Sequence, residues 1–222
     1  VDVDRYTIDG IYRQVMLSAR EMATDRLPPQ AHNWVNERLQ YTHGYGVALS
    51  PVNKVSPEGL PAFMVKDIPP VSVADLEIHR PEIYYGERSF SYVVVKTSTQ
   101  EFDYPKGGEN KFSTYQGTGG VPMEGFFDRL AFAIRFSDIN LLLSNYLVDE
   151  SRIMFRRQIR ERVNAIAPFL QYDSDPYLVI SDGRFYWILD AYTVTDMYPY
   201  STRRETSRIN YIRNSVKAVV DV

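Results

Sequence analysis

The sequence predicts an α+β fold, a mainly antiparallel sheet with a central block of about three helices. Alternating apolar and polar residues with tight-turn dipeptides occur near both ends of the chain. Apolar residues at helical spacing fill much of the middle. Hydrophobic residues make up 44% of the 222 residues, which is enough for a substantial core. Strands before and after a helical block favour antiparallel pairing over repeated β-α-β units.

The first 49 residues predict a hairpin, a helix and a short strand. Residues 5–8 and 11–20 alternate on either side of Asp9-Gly10, a dipeptide favoured in two-residue hairpin turns. Residues 31–40 then carry apolar side chains at helical spacing. Two glycines follow that helix, and residues 47–49 predict a strand.

The next stretch, residues 50–81, contains six prolines and is predicted to be irregular. Proline removes a backbone donor, so it disfavours both a helix interior and a central strand. The β-branched and aromatic runs at residues 82–85 and 90–97 predict strands. Glycines on either side of residues 111–115 predict loops.

Helical periodicity begins at residue 123. It continues to residue 147, with a predicted break at Ser137-Asp138, where Asp138 suits a helix N-cap. A third helix is predicted over residues 152–167. A second hairpin, turning at Asp182-Gly183, and a final strand over residues 209–222 complete the chain.

The domain organisation predicted is a single soluble α+β unit over residues 1–222, with a possible sub-boundary near residue 122, before the helical block. The last seven residues alternate as a strand without a turn or tail, and the first residue is not Met. We therefore expect a fragment truncated at both ends. No run approaches the roughly 18 apolar residues that span a bilayer.

The amino-acid composition disfavours several classes of function. The net charge of −3 disfavours nucleic-acid binding, which usually needs a basic surplus. Cysteine is absent, so thiol chemistry is excluded. The three histidines show no metal-ligand spacing, and we predict neither a metal site nor a cofactor.

One candidate ligand site surrounds His43. Gly44 and Gly46 permit unusual backbone angles that place Tyr41, His43 and Tyr45 at a pocket rim. The alternative is an ordinary helix C-terminus followed by a tight turn.

The second candidate is a surface for anionic lipid headgroups or a phosphorylated ligand. It consists of four arginines on the predicted third helix, Arg152, Arg156, Arg157 and Arg160, with Arg162 following them in the same basic run. The alternative is a solvated helix face that pairs with acidic neighbours.

Short motifs along nearly the whole chain resemble those of uncharacterised protein family 0182, large multi-pass membrane proteins of bacteria, notably actinobacteria and cyanobacteria. The first is Tyr6-Thr7-Ile8-Asp9-Gly10. The others lie at residues 13–21, 34–36, 41–46, 65–70, 83–87, 101–105, 119–122, 160–163, 167–170 and 211–217. The resemblance implies an N-terminal bundle of membrane-spanning helices outside this sequence, with this piece on the extracytoplasmic side of the cell membrane. It implies no reaction and no catalytic residue.

Two functions remain open at this point. The first is a non-enzymatic extracytoplasmic domain for binding or assembly, attached to the membrane by other segments of the protein, with protein partners unspecified. The alternative is an envelope-associated hydrolase or transferase acting on glycan or lipid, with Glu87, Asp103 or His43 as acid or base. A cleft containing His43 and two carboxylates would favour the enzyme.

Overall fold

A computed structural model describes residues 1–73 and 75–222 and confirms the α+β class. Pairing between its strands is antiparallel throughout the described residues. The strands in chain order are β1 (Asp2–Ile8), β2 (Ile11–Ala19), β3 (Gly44–Tyr45), β4 (Val47–Pro51), β5 (Val65–Lys66), β6 (Val71–Ser72), β7 (Glu82–Ile83), β8 (Val93–Val95), β9 (Glu101–Lys106), β10 (Glu109–Ser113), β11 (Val121–Pro122), β12 (Arg152–Met154), β13 (Gln171–Tyr172), β14 (Tyr177–Ser181), β15 (Arg184–Thr195) and β16 (Tyr211–Asp221).

The helices are α1 (Phe126–Phe136), α2 (Asn140–Leu143) and α3 (Ile159–Ile166), with a π-helix at Asn36–Gln40 and 3-10 turns at Thr24–Arg26 and Pro29–Ala31. The predicted break between α1 and α2 is confirmed, because Ser137 adopts a left-handed conformation with φ of 52°. Asp138 accepts the Asn140 N–H at 3.1 Å, so its side chain supports the start of α2.

Two helix predictions were wrong in extent. The helix predicted over residues 31–40 contains a five-residue π-helix at Asn36–Gln40. The helix predicted over residues 152–167 starts only at Ile159, after the Gln158 side chain accepts the Glu161 N–H. Residues 152–154 form β12 instead, because Ile153 and Met154 bury their side chains in a three-stranded sheet of order β11-β12-β8.

The two turn-based hairpin predictions are confirmed. Asp9 and Gly10 both have positive φ and join β1 to β2 in the five-stranded sheet β1-β2-β4-β5-β6. Asp182 and Gly183 join β14 to β15 in the same way. The final strand, β16, pairs along most of β15.

One hairpin was not predicted. Strands β9 and β10 pair around a turn at Gly107 and Gly108 and form a separate two-stranded sheet. Its inward-facing residues are Glu101 and Asp103, whereas Phe102 and Tyr104 are only half-buried. This reverses the usual pattern of apolar residues inside, so the strand gave no apolar signal.

Two apolar cores hold the elements together. One packs residues of β2, β4, β8 and β14 around the fully buried Trp187 and Phe185 of β15. The other lies beneath α1 and α2 and contains Leu39, Val94 and Leu141. The site described next lies beside the first core.

Candidate functional site

His43 occupies the centre of a buried polar cluster. It lies between the π-helix and β3 and has no solvent-exposed surface. A Cβ added to Gly44 would lie 2.2 Å from the backbone oxygen of Arg20, so only glycine lets the chain pass this close. The glycine beside His43 thus serves backbone packing.

Alternate residues of β9 place two carboxylates against the His43 ring. Asp103 Oδ1 lies 3.2 Å from Nε2, without good hydrogen-bond geometry, and Glu101 Oε2 lies 3.6 Å from Nδ1. Outside them, Phe102 packs edge-on against Tyr41 with a centroid distance of 5.2 Å. The hairpin therefore covers the histidine with an inner charged layer and an outer aromatic layer.

Glu101 is satisfied by three donors from different parts of the chain. Its Oε2 accepts the Thr42 hydroxyl at 2.5 Å and the Tyr84 hydroxyl at 2.9 Å, and its Oε1 accepts the Tyr115 N–H at 3.1 Å. Asp103 accepts the Ser113 hydroxyl. A carboxylate buried this deeply is stable only with such partners. We name His43, Glu101 and Asp103 with these four donors the His43 cluster.

The hydrogen bonds indicate the protonation state of His43. The single Thr42 hydroxyl proton goes to Glu101, so at 2.9 Å the Thr42 oxygen accepts from Nδ1–H. Nε2 faces a carboxylate, which favours a proton there too. Burial lowers the pKa of His43, but Asp103 and Glu101 outweigh it, and the pKa lies above its ordinary value.

A second buried cation completes the charge balance. Arg157 is only 5% exposed and donates to the backbone oxygens of Tyr84, Ser91 and Thr42. Burial lowers the pKa of Arg157 to about 10, with neighbouring tyrosines and glutamates opposing the effect, so it remains charged at neutral pH. With His43 protonated, this buried region contains two cations, His43 and Arg157, and two carboxylates, Glu101 and Asp103.

An open cavity of about 850 Å³ lies next to the His43 cluster. Three of its wall residues, Tyr84, Ser113 and Tyr115, are donors to Glu101 or Asp103. The buried cluster thus positions part of the cavity wall from behind. This volume is in the range of about 300–1,000 Å³ typical of small-molecule sites.

The other walls combine aromatic and charged side chains. Arg162 from α3 stacks on the Tyr85 ring, with its guanidinium carbon 4.4 Å from the ring centroid. Arg184 pairs with Asp221, whereas no ion pair joins Arg80 or Arg162 to a carboxylate among the described residues. Three arginines and two carboxylates, those of Glu82 and Asp221, line the space.

The loop at residues 117–119 closes around Tyr115. The Gly119 N–H donates to the Tyr115 hydroxyl at 2.9 Å. A Cβ on Gly117 would lie 2.2 Å from that hydroxyl, so the loop needs glycine to wrap the ring. Burial raises the pKa of Tyr115, which keeps the phenol protonated.

The three residues predicted at a pocket rim lie away from the cavity. Tyr41 and Tyr45 are half-buried against the β9–β10 hairpin, and neither they nor His43 lines the 850 Å³ cavity. The ligand-binding role of these three residues stays a prediction. Glu87 does not line the cavity either, and its backbone N–H donates to the Glu21 carboxylate.

The four arginines proposed as an anionic-lipid surface do not share a helix. Arg152 in β12 donates to Gly119 and Gly120, and Arg157 is buried. Only Arg156 and Arg160 are exposed, with Arg156 preceding α3. The prediction of one continuous basic helix was wrong, because residues 152–154 form β12 and the helix begins only at Ile159. Lipid contact by the exposed pair stays a prediction.

Sequence reasoning missed Glu101, Tyr84 and Tyr115, and it placed Arg162 on a basic helix instead of in a cavity wall. The available signal was the alternation Glu-Phe-Asp-Tyr at residues 101–104 before Gly107-Gly108, which is a hairpin pattern with its charged side turned inward. Among the described residues, no group of three or more His, Cys, Asp or Glu side chains is arranged to hold a metal ion. Within the same residues, no helix has the length and apolarity to cross a membrane.

Comparison with known proteins agrees with the family resemblance of the short motifs. A family model described as "Uncharacterised protein family (UPF0182)" matches residues 1–222. A UPF0182 protein of Pelotomaculum thermopropionicum is 58% identical over 221 residues, 100% of this chain and 24% of that protein. A UPF0182 protein of Trichodesmium erythraeum is 51% identical over 239 residues, 100% of this chain and 26% of that protein. The chain spans about a quarter of the length of these curated relatives. No solved structure matches it.

Proposed function

This chain belongs to the uncharacterised protein family UPF0182, and on that premise we propose that it is an extracytoplasmic ligand-binding region of a multi-pass membrane protein. The observation that carries the binding role is the 850 Å³ cavity lined by Tyr84, Tyr85, Tyr115 and Arg162. A concave site with aromatic walls and a few charged groups is the usual form of a small-molecule site.

The construction of the cavity supports binding over a purely structural role. Its wall is held by hydrogen bonds from Tyr84 and Tyr115 to the buried Glu101. Walls fixed by buried partners are pre-organised, so the wall side chains lose less conformational entropy when a ligand binds. Arg162 is held on Tyr85 with no carboxylate paired to it among the described residues.

The location rests on the family. The resemblance implies membrane-spanning helices upstream, and about three quarters of each curated relative lies outside the matched stretch. That length leaves room for a hydrophobic anchor.

The alternative of an envelope hydrolase or transferase has less support. The structure places His43 beside two carboxylates, as that alternative requires, but in a closed interior instead of a cleft. A general acid or base needs hydrogen-bond contact with its substrate or with a bridging water. His43 has no exposed surface through which to make that contact.

Cysteine labelling tests the location, since the native chain has no cysteine of its own. In a full-length protein freed of other cysteines, Lys54→Cys places a thiol on an exposed loop, and the matched control Ser50→Cys places one in the interior. We expect a membrane-impermeant maleimide to label Lys54→Cys while the cytoplasmic membrane is intact, and Ser50→Cys only after denaturation.

Labelling of Lys54→Cys that requires lysis of the cytoplasmic membrane would place the region inside the cell. Recovery of the full-length protein in the soluble fraction would remove the membrane part of the proposal.

A further inference from the structure

One wall of the cavity holds a planar cation against a buried aromatic ring. Tyr85 is buried, its backbone oxygen accepts the Trp187 indole N–H at 2.9 Å, and its ring carries the Arg162 guanidinium. A guanidinium stacked on a ring leaves its N–H edge free to donate two parallel hydrogen bonds to a carboxylate or phosphate. The stacking also limits the orientations of Arg162, so little entropy is lost when an anion binds.

The charge of the cavity differs in sign from that of the chain. Its lining carries one more guanidinium than carboxylates, whereas the chain has a net charge of −3. Arg184 is already paired with Asp221, so Arg80 and Arg162 supply the available positive charge and Glu82 opposes part of it. An occupant with one or two negative charges would balance the site.

The remaining lining is rich in small polar groups. Thr114, Gln116 and Thr118 bring hydroxyl and amide groups to the cavity from the segment that also carries Tyr115. Hydroxyl and amide groups both donate and accept, which matches the hydroxyl groups of a sugar ring. Tyr115, the half-buried tyrosine of the lining, supplies flat surface for the apolar face of such a ring.

We infer that the cavity binds an anionic saccharide, a sugar ring carrying a carboxylate or a phosphate, with Arg162 on the anionic group and Tyr115 against the ring. This inference rests on the proposed binding role and deepens it. The anionic group contacts Arg162 and Arg80, and Glu82 accepts hydrogen bonds from ring hydroxyls.

Isothermal titration calorimetry on the detergent-purified full-length protein tests the inference with four probes: glucuronate, glucose 6-phosphate, glucose and inorganic phosphate. We expect one or both anionic sugars to bind, and glucose to bind about 10- to 100-fold more weakly, as the loss of a charge-assisted hydrogen bond predicts. The preference between glucuronate and glucose 6-phosphate identifies the anion.

Two arginines of α3 provide a matched pair of variants. Arg162→Gln removes the stacked cation and should weaken the anionic sugar by about 10-fold or more, whereas Arg160→Gln, exposed and outside the cavity, should leave binding unchanged. Arg80→Gln at the exposed mouth keeps the test valid if Arg162→Gln folds poorly, and should weaken binding less.

Three results would overturn the inference. Glucose binding as tightly as the anionic sugars would remove the anionic requirement. Inorganic phosphate binding as tightly as glucose 6-phosphate would remove the saccharide. Absence of binding by all four probes would remove both, while the cysteine labelling would still decide the location separately.

Discussion

The His43 cluster and the helical layer place charged and apolar groups in opposite ways. In the cluster, Glu101 and Asp103 are buried, and each accepts from neighbouring hydroxyl or backbone groups. On the helical layer, Phe127 is 81% exposed and Ile134 is 71% exposed, although their helix also packs an apolar face inward. We name Phe127, Ile134 and Leu143, all exposed, the outer helix face.

This contrast shows that the available hydrogen-bond partners determine whether a side chain is stable when buried, more than its own polarity does. A buried carboxylate is tolerated because Thr42, Tyr84 and the Tyr115 N–H replace water. The side chains of the outer helix face have no such partners to lose, because they already contact solvent. Removing a group should therefore have a large effect in the first region and a small one in the second.

The largest expected loss in the free energy of unfolding is that of Glu101→Ala, which removes the most highly coordinated carboxylate of the His43 cluster. Three buried donors and His43 would lose their acceptor, and removal of one partner from a buried ion pair costs about 3–5 kcal/mol. Urea denaturation of the 222-residue chain, followed by circular dichroism, measures the change in the free energy of unfolding.

Glu109→Ala is the control for Glu101→Ala, since Glu109 is exposed on the same hairpin and should change the free energy of unfolding by less than about 0.5 kcal/mol. A similar small loss for Glu101→Ala would mean that the cluster contributes little to the fold.

A second prediction sharpens the comparison through pH. The folded pKa of His43 lies above its unfolded value, because Asp103 and Glu101 outweigh the effect of burial. The stabilisation is therefore full below the unfolded pKa, about 6.5, and is lost as the pH rises through the folded pKa. Relative to His43→Asn, the native chain should lose its stability advantage as the pH rises above the unfolded pKa and through the raised folded pKa.

Unfolding curves of the two chains across that range measure the difference. His79→Asn serves as the control, because His79 is exposed and outside the cluster. If the difference in free energy of unfolding between the native chain and His43→Asn stayed constant or increased with pH, His43 would be neutral in the folded state.

The smallest expected effect is from Phe127→Ser on the outer helix face. Phe127 is already in water, so the free energy of unfolding should change by no more than about 0.5 kcal/mol. In the same layer, Leu141→Ala should cost about 2–5 kcal/mol, since Leu141 is fully buried. Thermal or urea unfolding of both variants checks this contrast, and a loss of several kcal/mol for Phe127→Ser would show that the face is packed in solution.

Much of the fold was predictable where local signals and tertiary packing agree. The turn at Asp9-Gly10 and the break near Ser137 both depend on backbone preferences of a few adjacent residues, and both are confirmed. The helix predicted across residues 152–167 failed because the sheet partners of β12 lie far away in the chain: Arg152 pairs with Val95. A local pattern cannot contain that information.

The sequence by itself determined the α+β class, the tight turns, the absence of thiol chemistry and the likeness to one protein family. Only the tertiary structure decided which charged residues are inside and which residues line the cavity. The physical reason is that burial of Glu101 depends on donors at Thr42 and Tyr84, 59 and 17 residues away in the chain. Until the fold brings those donors together, a buried carboxylate has the same sequence appearance as an exposed one.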